Sequence, residues 1–538
     1  MYAFILYSIS FMSPYLWVCA WCSFVPLLIF IEKENKLWKL ILFPAIGFLC
    51  MYAHAYLGVF FFSLNDYLFF LLGMSVAIFP FVLLIKWFLK KSLYLGHRER
   101  GYFLLFAIPT VWTLYEYMRG SGAAIRMTAG GFFASSQIYN LPLLQIASLV
   151  GVYGLSFMIL MINVALFLVL YPFGPERKRH LLFPCMVGML VCVCYVFGFH
   201  RLGEFDRKQV ETVRISLVQP NVDLETFNNA AEENNTGEDE KEVTDVLFEL
   251  MHKAAQDTPD MIVLPERSYH QTLQGVGSIG AGDIMRQKVA ALQIPTIVGG
   301  MFEPSFYDAY NSAYFLSATG ALIDRYDKMV LYPLGEYIPG GYFLEGVMND
   351  LEVHKKFPML FTEQAGFDHV SLAQFMNVDW LRSGSEYTIF QHPKGFRFAT
   401  PICAEDVFPE LCREFVARGA QLLVLIINEA WWQRTATIEH HLTGSVLRAV
   451  ENGVACVRAT NTAYTGLILP TGKIESMYKD AHGRVKLVRG HITVEAPITD
   501  EAGSFFTKYG YTFPYLVAFL FCFFFVVSFF MSPPRIKS

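Results

Sequence analysis

The sequence predicts a polytopic α-helical membrane body that carries one water-facing α/β domain. Three observations lead there. Hydrophobic residues make up 54% of the 538 positions and charged residues only 17%, too few charges to coat several aqueous surfaces, so a large part of the chain belongs in lipid. Long apolar runs crowd residues 1–200 and return at 511–532, and about 20 apolar residues suffice to cross the hydrocarbon core. Between them, residues 205–508 alternate short apolar runs with amphipathic stretches, the pattern of strands and helices around a sheet.

In order, the candidate crossings are residues 2–12, 14–31, 40–62, 67–89, 101–118, 142–172, 181–200 and 511–532, about eight in all. No Lys or Arg precedes Lys33, a poor match to a cleaved signal peptide, so the first helix is expected to be retained. Lys and Arg collect on the cytoplasmic side of membrane proteins. With eight crossings and an internal N-terminus, the basic connections Lys33 to Lys39, Lys90 to Arg100, Arg177 to Arg179 and the tail with Arg535 and Lys537 all fall inside. The loop from Arg119 to Asn140, with Arg126, is the exception. The α/β domain is then expected outside, in the periplasm of a bacterium with two membranes.

Within that domain, Ile215–Val218, Met261–Leu264, Thr296–Gly299, Ala313–Leu316, Phe398–Ile402, Leu422–Ile427, Ala455–Arg458 and Gly466–Leu469 read as strands. Val243, Val246, Leu247, Leu250, Met251 and Ala254 recur at helical spacing, as do Leu442, Val446, Leu447 and Val450, stopped by Gly453. Glu232 to Glu242 reads as a solvated acidic loop, and the irregular stretch 340–385 as a long active-site loop. The net charge of −5 leaves no basic footprint for nucleic acid. Seven of the ten cysteines lie in apolar runs and read as small buried hydrophobes. Cys19 and Cys22 have a redox-like spacing but no partner pair. Cys403, Cys412 and Cys456 are too few for a disulfide framework.

Three residues could carry chemistry. Cys403 ends an apolar strand and precedes Glu405-Asp-Val-Phe-Pro-Glu410, which begins a helix through Leu411 and Phe415, where a helix N-terminus would favour a thiolate; by position alone an inert core thiol is the readier reading. Glu266 ends Met261–Leu264-Pro265, where desolvation would raise its pKa and suit a general base; it could equally cap a helix. Lys328, in Tyr326-Asp-Lys-Met-Val-Leu-Tyr332, is either a surface lysine or a fixed cation for an oxyanion. His440 and His441 diverge by about 100° on a helix and read as helix-surface residues rather than metal ligands. Arg448 and Glu451 read as a helix ion pair.

Together, in this order and at these strand ends, Glu266, Lys328 and Cys403 resemble the Glu-Lys-Cys triad of the nitrilase superfamily. The match extends through Leu264-Pro-Glu266, Tyr326-Asp-Lys328, Gly335-Glu-Tyr-Ile-Pro339, Phe408-Pro-Glu-Leu411, Asn428-Glu-Ala-Trp431, Leu447-Arg-Ala-Val-Glu-Asn-Gly453 and Arg458-Ala-Thr-Asn461. With membrane helices on both sides, the chain resembles the apolipoprotein N-acyltransferase family; Gly151-Val-Tyr-Gly-Leu-Ser156 in the membrane part also fits. The resemblance implies an αββα sandwich and a ping-pong acyl transfer. The Cys403 thiolate would take an acyl chain from the sn-1 ester of a phospholipid, typically phosphatidylethanolamine, and pass it to the α-amine of a diacylglyceryl-cysteine. Glu266 would be the base and Lys328 the oxyanion partner, with Glu336 and Glu405 orienting Lys328 and tuning Glu266. No cofactor or metal is implied, and a monomer is expected. The chain departs from the family pattern at Leu264 (Trp), Ala404 (Tyr) and Trp432-Gln433 (Phe-Gly), and keeps the family's Gly-Phe-Pro-Trp only as Gly131-Phe-Phe-Ala134. A membrane-tethered amidase would need one anchor rather than eight crossings. A transporter or receptor would leave the triad unexplained and shows few intramembrane charges, Glu116 being the clearest.

Overall fold

The computed structural model describes residues 2–10, 15–55, 77–121, 131–171, 181–207, 210–223, 226, 238–269, 272–275, 281–305, 308–333, 335–337, 381–432, 435, 437–499 and 503–531. The loop at 63–66, the basic segment Arg177 to Arg179, Arg126, the tail with Arg535 and Lys537, most of the acidic stretch after Glu232 and residues 340–380 of the expected active-site loop lie outside the described residues.

Two sheets form the α/β part. The first holds β1 (Thr212–Gln219), β2 (Met261–Val263), β3 (Gln274–Gly275), β4 (Thr296–Ser305), β5 (Asp308–Leu316), β6 (Leu322–Asp327) and β13 (Gly490–Pro497), in the order β13-β1-β2-β4-β5-β6 with β3 beside β4. The second holds β7 (Phe390–Gln391), β8 (Arg397–Ala399), β9 (Leu422–Ile427), β10 (Ala455–Thr460), β11 (Gly466–Ile468) and β12 (Ile474–Met477), in the order β12-β11-β10-β9-β8-β7. The central pairs β1–β2, β2–β4, β8–β9 and β9–β10 are parallel, so each needs a crossover. The helices Glu238–Gln256, Ala281–Leu292, Pro409–Ala417 and Thr437–Asn452 supply them.

Strand alternation sorts the side chains into layers. Leu217, Met261, Val263, Ile297, Ala313 and Phe315 turn inward and share one core with β9 and β10. Their neighbours Val218, Ile262, Leu264, Val298, Tyr314 and Leu316 turn outward onto Leu247, Leu250, Met251, Met285 and Val289 of the two covering helices. Each such burial contributes about 1.5–3 kcal/mol. The eight strands read from sequence are all present. β13, which closes the first sheet against β1 with Thr212 opposite Pro497, was not legible, because its residues are only half-buried and its partner lies far away in sequence.

The membrane body departs from the eight-crossing expectation. Among the described residues, three helices are long and apolar enough to cross a membrane: Ala147–Leu170, Leu182–Arg207 and Thr512–Phe530. The first is 83% buried over its apolar window and the others 22%, so Ala147–Leu170 is the axis of the bundle. The expected span 2–12 is the eight-residue helix Tyr2–Ile9, about 12 Å long. The expected span 14–31 is broken into a 3-10 turn at Trp17–Trp21 and the nine-residue helix Val25–Lys33. Pro26 starts that helix, lacking the N–H and the clearance to continue an earlier turn. Hydropathy counts apolar residues but not such breaks. The expected spans 40–62, 67–89 and 101–118 correspond to Leu37–Ala55, Phe79–Ser92 and His97–Gly120, with 56–76 outside the described residues.

The two ends of this bundle differ. At one end, Lys86 Nζ donates to the carbonyls of Ile31 and Glu32 at 2.7 and 2.8 Å, where a cation suits a helix C-terminus. Beside it Arg100 pairs with Glu32 at 3.3 Å, Lys33 lies over the Tyr171 ring, and Lys91 donates to the Met531 carbonyl. At the other end the bundle meets the α/β part. There Gln145 Nε2 donates to the Thr471 carbonyl at 2.8 Å, and Arg413 Nη1 to that of Thr507 at 2.9 Å. Gly151 adopts φ +66° and breaks the long helix, which frees the Val152 N–H to donate to Glu451 Oε1 at 2.7 Å. Glu451 is itself paired with Arg448 at 2.7 Å, the ion pair expected from the sequence.

Candidate active site

The site lies where strands end. Glu266 follows β2, Lys328 follows β6, Cys403 follows β8 and Asn428 follows β9, so the carboxyl ends of parallel strands from both sheets open onto one crevice, the usual ligand position in α/β sheets. Close approach there depends on Gly299 in β4. A Cβ at that position would come within 2.1 Å of the Pro265 carbonyl and 2.8 Å of Glu266 Cα, so only glycine lets the Glu266 turn fold against the strand.

Lys328 is not the surface residue that its sequence context allows: it is 1% exposed. Its Nζ donates to Glu266 Oε1 at 3.0 Å and to Glu336 Oε1 at 2.9 Å. Asn311, opposite Lys328 on the neighbouring strand, donates its one side-chain amine to the same two oxygens at 2.7 and 2.8 Å, and its carbonyl accepts from the Lys328 N–H. Backbone donors complete the carboxylates: Asn428 N–H to Glu266 Oε2 at 2.9 Å and Tyr332 N–H to Glu336 Oε2 at 2.7 Å. Asn311 escaped the sequence reading. The signal that could have found it is an asparagine, next to Ser312, in the mostly apolar stretch Ala309 to Leu316, a position that a buried strand leaves polar only with partners to satisfy.

Cys403 sits 8% exposed, with its thiol close enough to Glu266 for the two groups to act on each other's charge. Its φ is +54°, a left-handed conformation that costs a non-glycine residue about 1–3 kcal/mol and concentrates at functional turns. The residue after Glu266, Arg267, shares it with φ +50°. The helix expected to start beside Cys403 begins only at Pro409; a 3-10 turn, Cys403–Val407, intervenes, so no helix terminus faces the thiol.

Electrostatics here run against two expectations. Burial alone would raise the Glu266 pKa, but the Lys328 charge and hydrogen bonds from Cys403, Asn311 and Lys328 outweigh it and hold the carboxyl below its usual range. The Cys403 thiol is pushed well up, first by burial and then by the negative charge of Glu266, with Lys328 only partly offsetting them. Burial also works against the Lys328 cation, yet Glu266 and Glu336 raise its pKa above the ordinary lysine value. The resting site is therefore a thiol, a carboxylate and an ammonium.

Glu336 accepts from Lys328 Nζ at 2.9 Å, whereas the polar contacts of Glu405 run to backbone and to Tyr326. Its Oε1 accepts from the Met329 and Val330 N–H groups at 2.7 and 2.9 Å, and its Oε2 from the Ile402 N–H at 2.8 Å. The Tyr326 hydroxyl donates across both oxygens at 2.9 Å. It thus ties the Lys328 strand end to the Cys403 turn through backbone, and burial pushes its pKa up to about 7. His441 is not a helix-surface residue either: it is 3% exposed and faces the back of the Cys403 turn.

Comparison with known proteins agrees with this architecture. Residues 214–487 match the carbon-nitrogen hydrolase family and residues 4–165 match the apolipoprotein N-acyltransferase N-terminal domain. The apolipoprotein N-acyltransferase of Geobacter metallireducens is 30% identical, taking in 94% of this chain and 90% of its own. Apolipoprotein N-acyltransferase 2 of Treponema denticola is 27% identical over 80% of this chain and 78% of its own. Among solved structures, an amidase from Nesterenkonia sp. superposes with a TM-score of 0.36 at 15% identity, covering 54% of this chain and 92% of its own, a likeness too slight to build on. A nitrilase-like α/β unit joined to a matching N-terminal membrane-type region, with a relative alike over nearly the whole length, places the chain in the apolipoprotein N-acyltransferase family, an N-acyltransferase enzyme of lipoprotein biosynthesis.

Proposed function

We propose that Cys403 is the nucleophile of a two-step acyl transfer from phospholipid to apolipoprotein, with Glu266 as base and Lys328 as oxyanion partner. The observation that carries this reading is Lys328 Nζ held between Glu266 and Glu336 at 3.0 and 2.9 Å, with the Cys403 thiol in the field of that same Glu266. Because Glu266 holds its proton weakly and Cys403 tightly, the thiol gives up its proton as it attacks, not before. In the first step Sγ bonds to the carbonyl carbon of the sn-1 ester while its proton passes to Glu266. Negative charge moves from Glu266 to the ester oxygen, so Lys328 exchanges one anion for another and the buried charge of the pocket is unchanged. Collapse expels the glycerol alkoxide, which takes the proton from Glu266. A lysophospholipid leaves and an acyl thioester remains on Cys403. In the second step the α-amine of the diacylglyceryl-cysteine attacks the thioester, Glu266 removes its proton, and the thiol is regenerated with the amide product.

The donor is read as phosphatidylethanolamine and the working unit as residues 205–508, borne on about eight crossings with the site on the periplasmic face of the inner membrane. Charge asymmetry supports that orientation. Lys33, Lys86, Lys91 and Arg100 gather at the bundle end opposite Gln145 and Val152, where the α/β part docks, and the unbroken part of Ala147–Leu170, from Val152 to Leu170, separates the ends by about 28 Å at 1.5 Å per residue. Arg119, the exception to the positive-inside pattern, is 6% exposed, and its guanidinium lies over Tyr115 and Phe132, so it is sequestered rather than a loop charge.

The test is intact-mass spectrometry of the purified protein after incubation with phosphatidylethanolamine. An acyl-sized increment, labile to hydroxylamine and absent in Cys403→Ala, is expected. An increment carried instead by Cys412 or Cys456, both buried with thiols pushed upward by desolvation, would sink the assignment.

A further inference from the structure

Behind the Cys403 turn lies a second buried cluster that the acyl-transfer steps do not use. His441 places both ring nitrogens against acceptors: Nδ1 lies 3.2 Å from Glu429 Oε1, and Nε2 lies 3.2 Å from the Cys403 carbonyl and 2.9 Å from Asp406 Oδ1. None of these partners can donate a proton while the carboxyl groups are ionised, so both nitrogens must carry hydrogen and the ring is an imidazolium. Arg458 closes the cluster from β10, donating to Asp406 Oδ2 at 3.2 Å and Glu429 Oε1 at 3.0 Å, and Ser445 donates to Asp406. The Trp432 ring meets the imidazole edge-on at 5.0 Å.

The placement is not casual. His441, Ser445 and Arg448 stand at i, i+4 and i+7 of the helix Thr437–Asn452, on one face. In that order they bond the Cys403 carbonyl, the Asp406 side chain and the Val407 carbonyl. One helix face therefore grips the whole turn from Cys403 to Val407, and the grip is applied at the residue whose φ is left-handed. A carbonyl so fixed sets the direction in which the Cys403 Cα–Cβ bond leaves the turn, so that Sγ can reach towards Glu266.

We propose that His441 is the positioning residue of the nucleophile: locked between Glu429 and Asp406, it donates to the Cys403 carbonyl and holds the left-handed turn that keeps Sγ on Glu266. This rests on Cys403 being the nucleophile. Burial works against the cation, but Asp406 and Glu429 push the His441 pKa up to about 9, so the donor is present throughout the neutral range.

The experiment uses the full-length protein in detergent with phosphatidylethanolamine and follows the rate of acyl increment on Cys403. His441→Gln and His441→Met fill similar volume, but only the first can donate. His441→Met should slow acylation about 10- to 100-fold, the scale of a nucleophile displaced by about an ångström, with the half-saturating lipid concentration unchanged, and His441→Gln should recover most of the loss. Equal rates in the two variants, or a His441→Met rate matching the unmodified protein, would overturn the proposal. Should His441→Met not accumulate folded, Glu429→Met removes the acceptor at Nδ1 while keeping the histidine: slowed acylation at unchanged half-saturation supports the proposal, and an unchanged rate overturns it. Absence of any increment in the unmodified protein, or its persistence in Cys403→Ala, would instead count against the nucleophile itself.

Discussion

The two buried charged clusters that flank Cys403 are built from similar parts and do different things. In front, one ammonium faces two carboxyl groups and a thiol, Lys328 against Glu266, Glu336 and Cys403. Behind, a guanidinium and an imidazolium face two carboxyl groups, Arg458 and His441 against Asp406 and Glu429. The rear cluster is balanced and has no proton to move, which suits a framework. The front cluster keeps a weakly basic carboxylate beside a thiol that resists ionisation, and that pairing stays idle until an ester carbonyl arrives to accept the charge. Similar burial thus produces stability on one side of a turn and reactivity on the other.

The contrast can be broken by substitution. The largest effect belongs to the front: Glu266→Gln or Lys328→Ala should cut turnover by about 100-fold or more, the scale of lost oxyanion donors. Glu266→Gln should move the melting temperature little. Near-normal turnover in either would refute the triad. In the rear, Arg458→Met leaves Asp406 and Glu429 short of a cation and should cost about 3–5 kcal/mol of stability, read by thermal denaturation in detergent; an unchanged melting temperature would show that the rear cluster is not structural. Gly299→Ala, which drives a methyl into the Glu266 turn, should cost about 1–3 kcal/mol by overpacking and lower the acylation rate at unchanged lipid half-saturation.

Another effect is in pH. His441 has a folded pKa raised to about 9 against about 6.5 unfolded, so its contribution is fully present below about pH 6.5 and is lost as pH rises through about 9. Glu405 and Glu451, both pushed up to about 7, lower stability as pH climbs from about 4.5 to 7, because the unfolded carboxyls ionise first. Melting temperature should therefore decline from about pH 5 towards pH 9, and His441→Gln should flatten the part above about pH 6.5. A profile unaltered by that substitution would mean that His441 is not charged in the folded protein.

Much of this was legible in the chain itself. Met261-Ile-Val-Leu264 and Leu422 to Ile427 are short unbroken apolar runs, the mark of strands buried on both faces, and the resemblance carried by Glu266, Lys328 and Cys403 needed only their order and flanking motifs. Less was legible where an outcome depends on the sum of opposing fields. Sequence gave Glu266 a raised pKa because burial can be guessed from Met261–Leu264, whereas the lowering comes from Lys328, 62 positions away. His441 looked like one of two helix-surface histidines, since its acceptors sit on Cys403, Asp406 and Glu429, none of them on its own helix. Of the eight candidate crossings, three appear among the described residues as helices long and apolar enough to span; hydropathy is a sum over residues, whereas the break at Pro26 is a property of geometry.

Residue polarity and spacing set the local and periodic part: an apolar body, an α/β unit, and a Glu-Lys-Cys series at strand ends. Tertiary structure decided which charges meet. Whether Glu266 rests ionised, whether His441 is buried beneath Cys403, and which end of the bundle receives the α/β part all follow from contacts between residues far apart in the chain, and Coulomb energies depend on that distance in space.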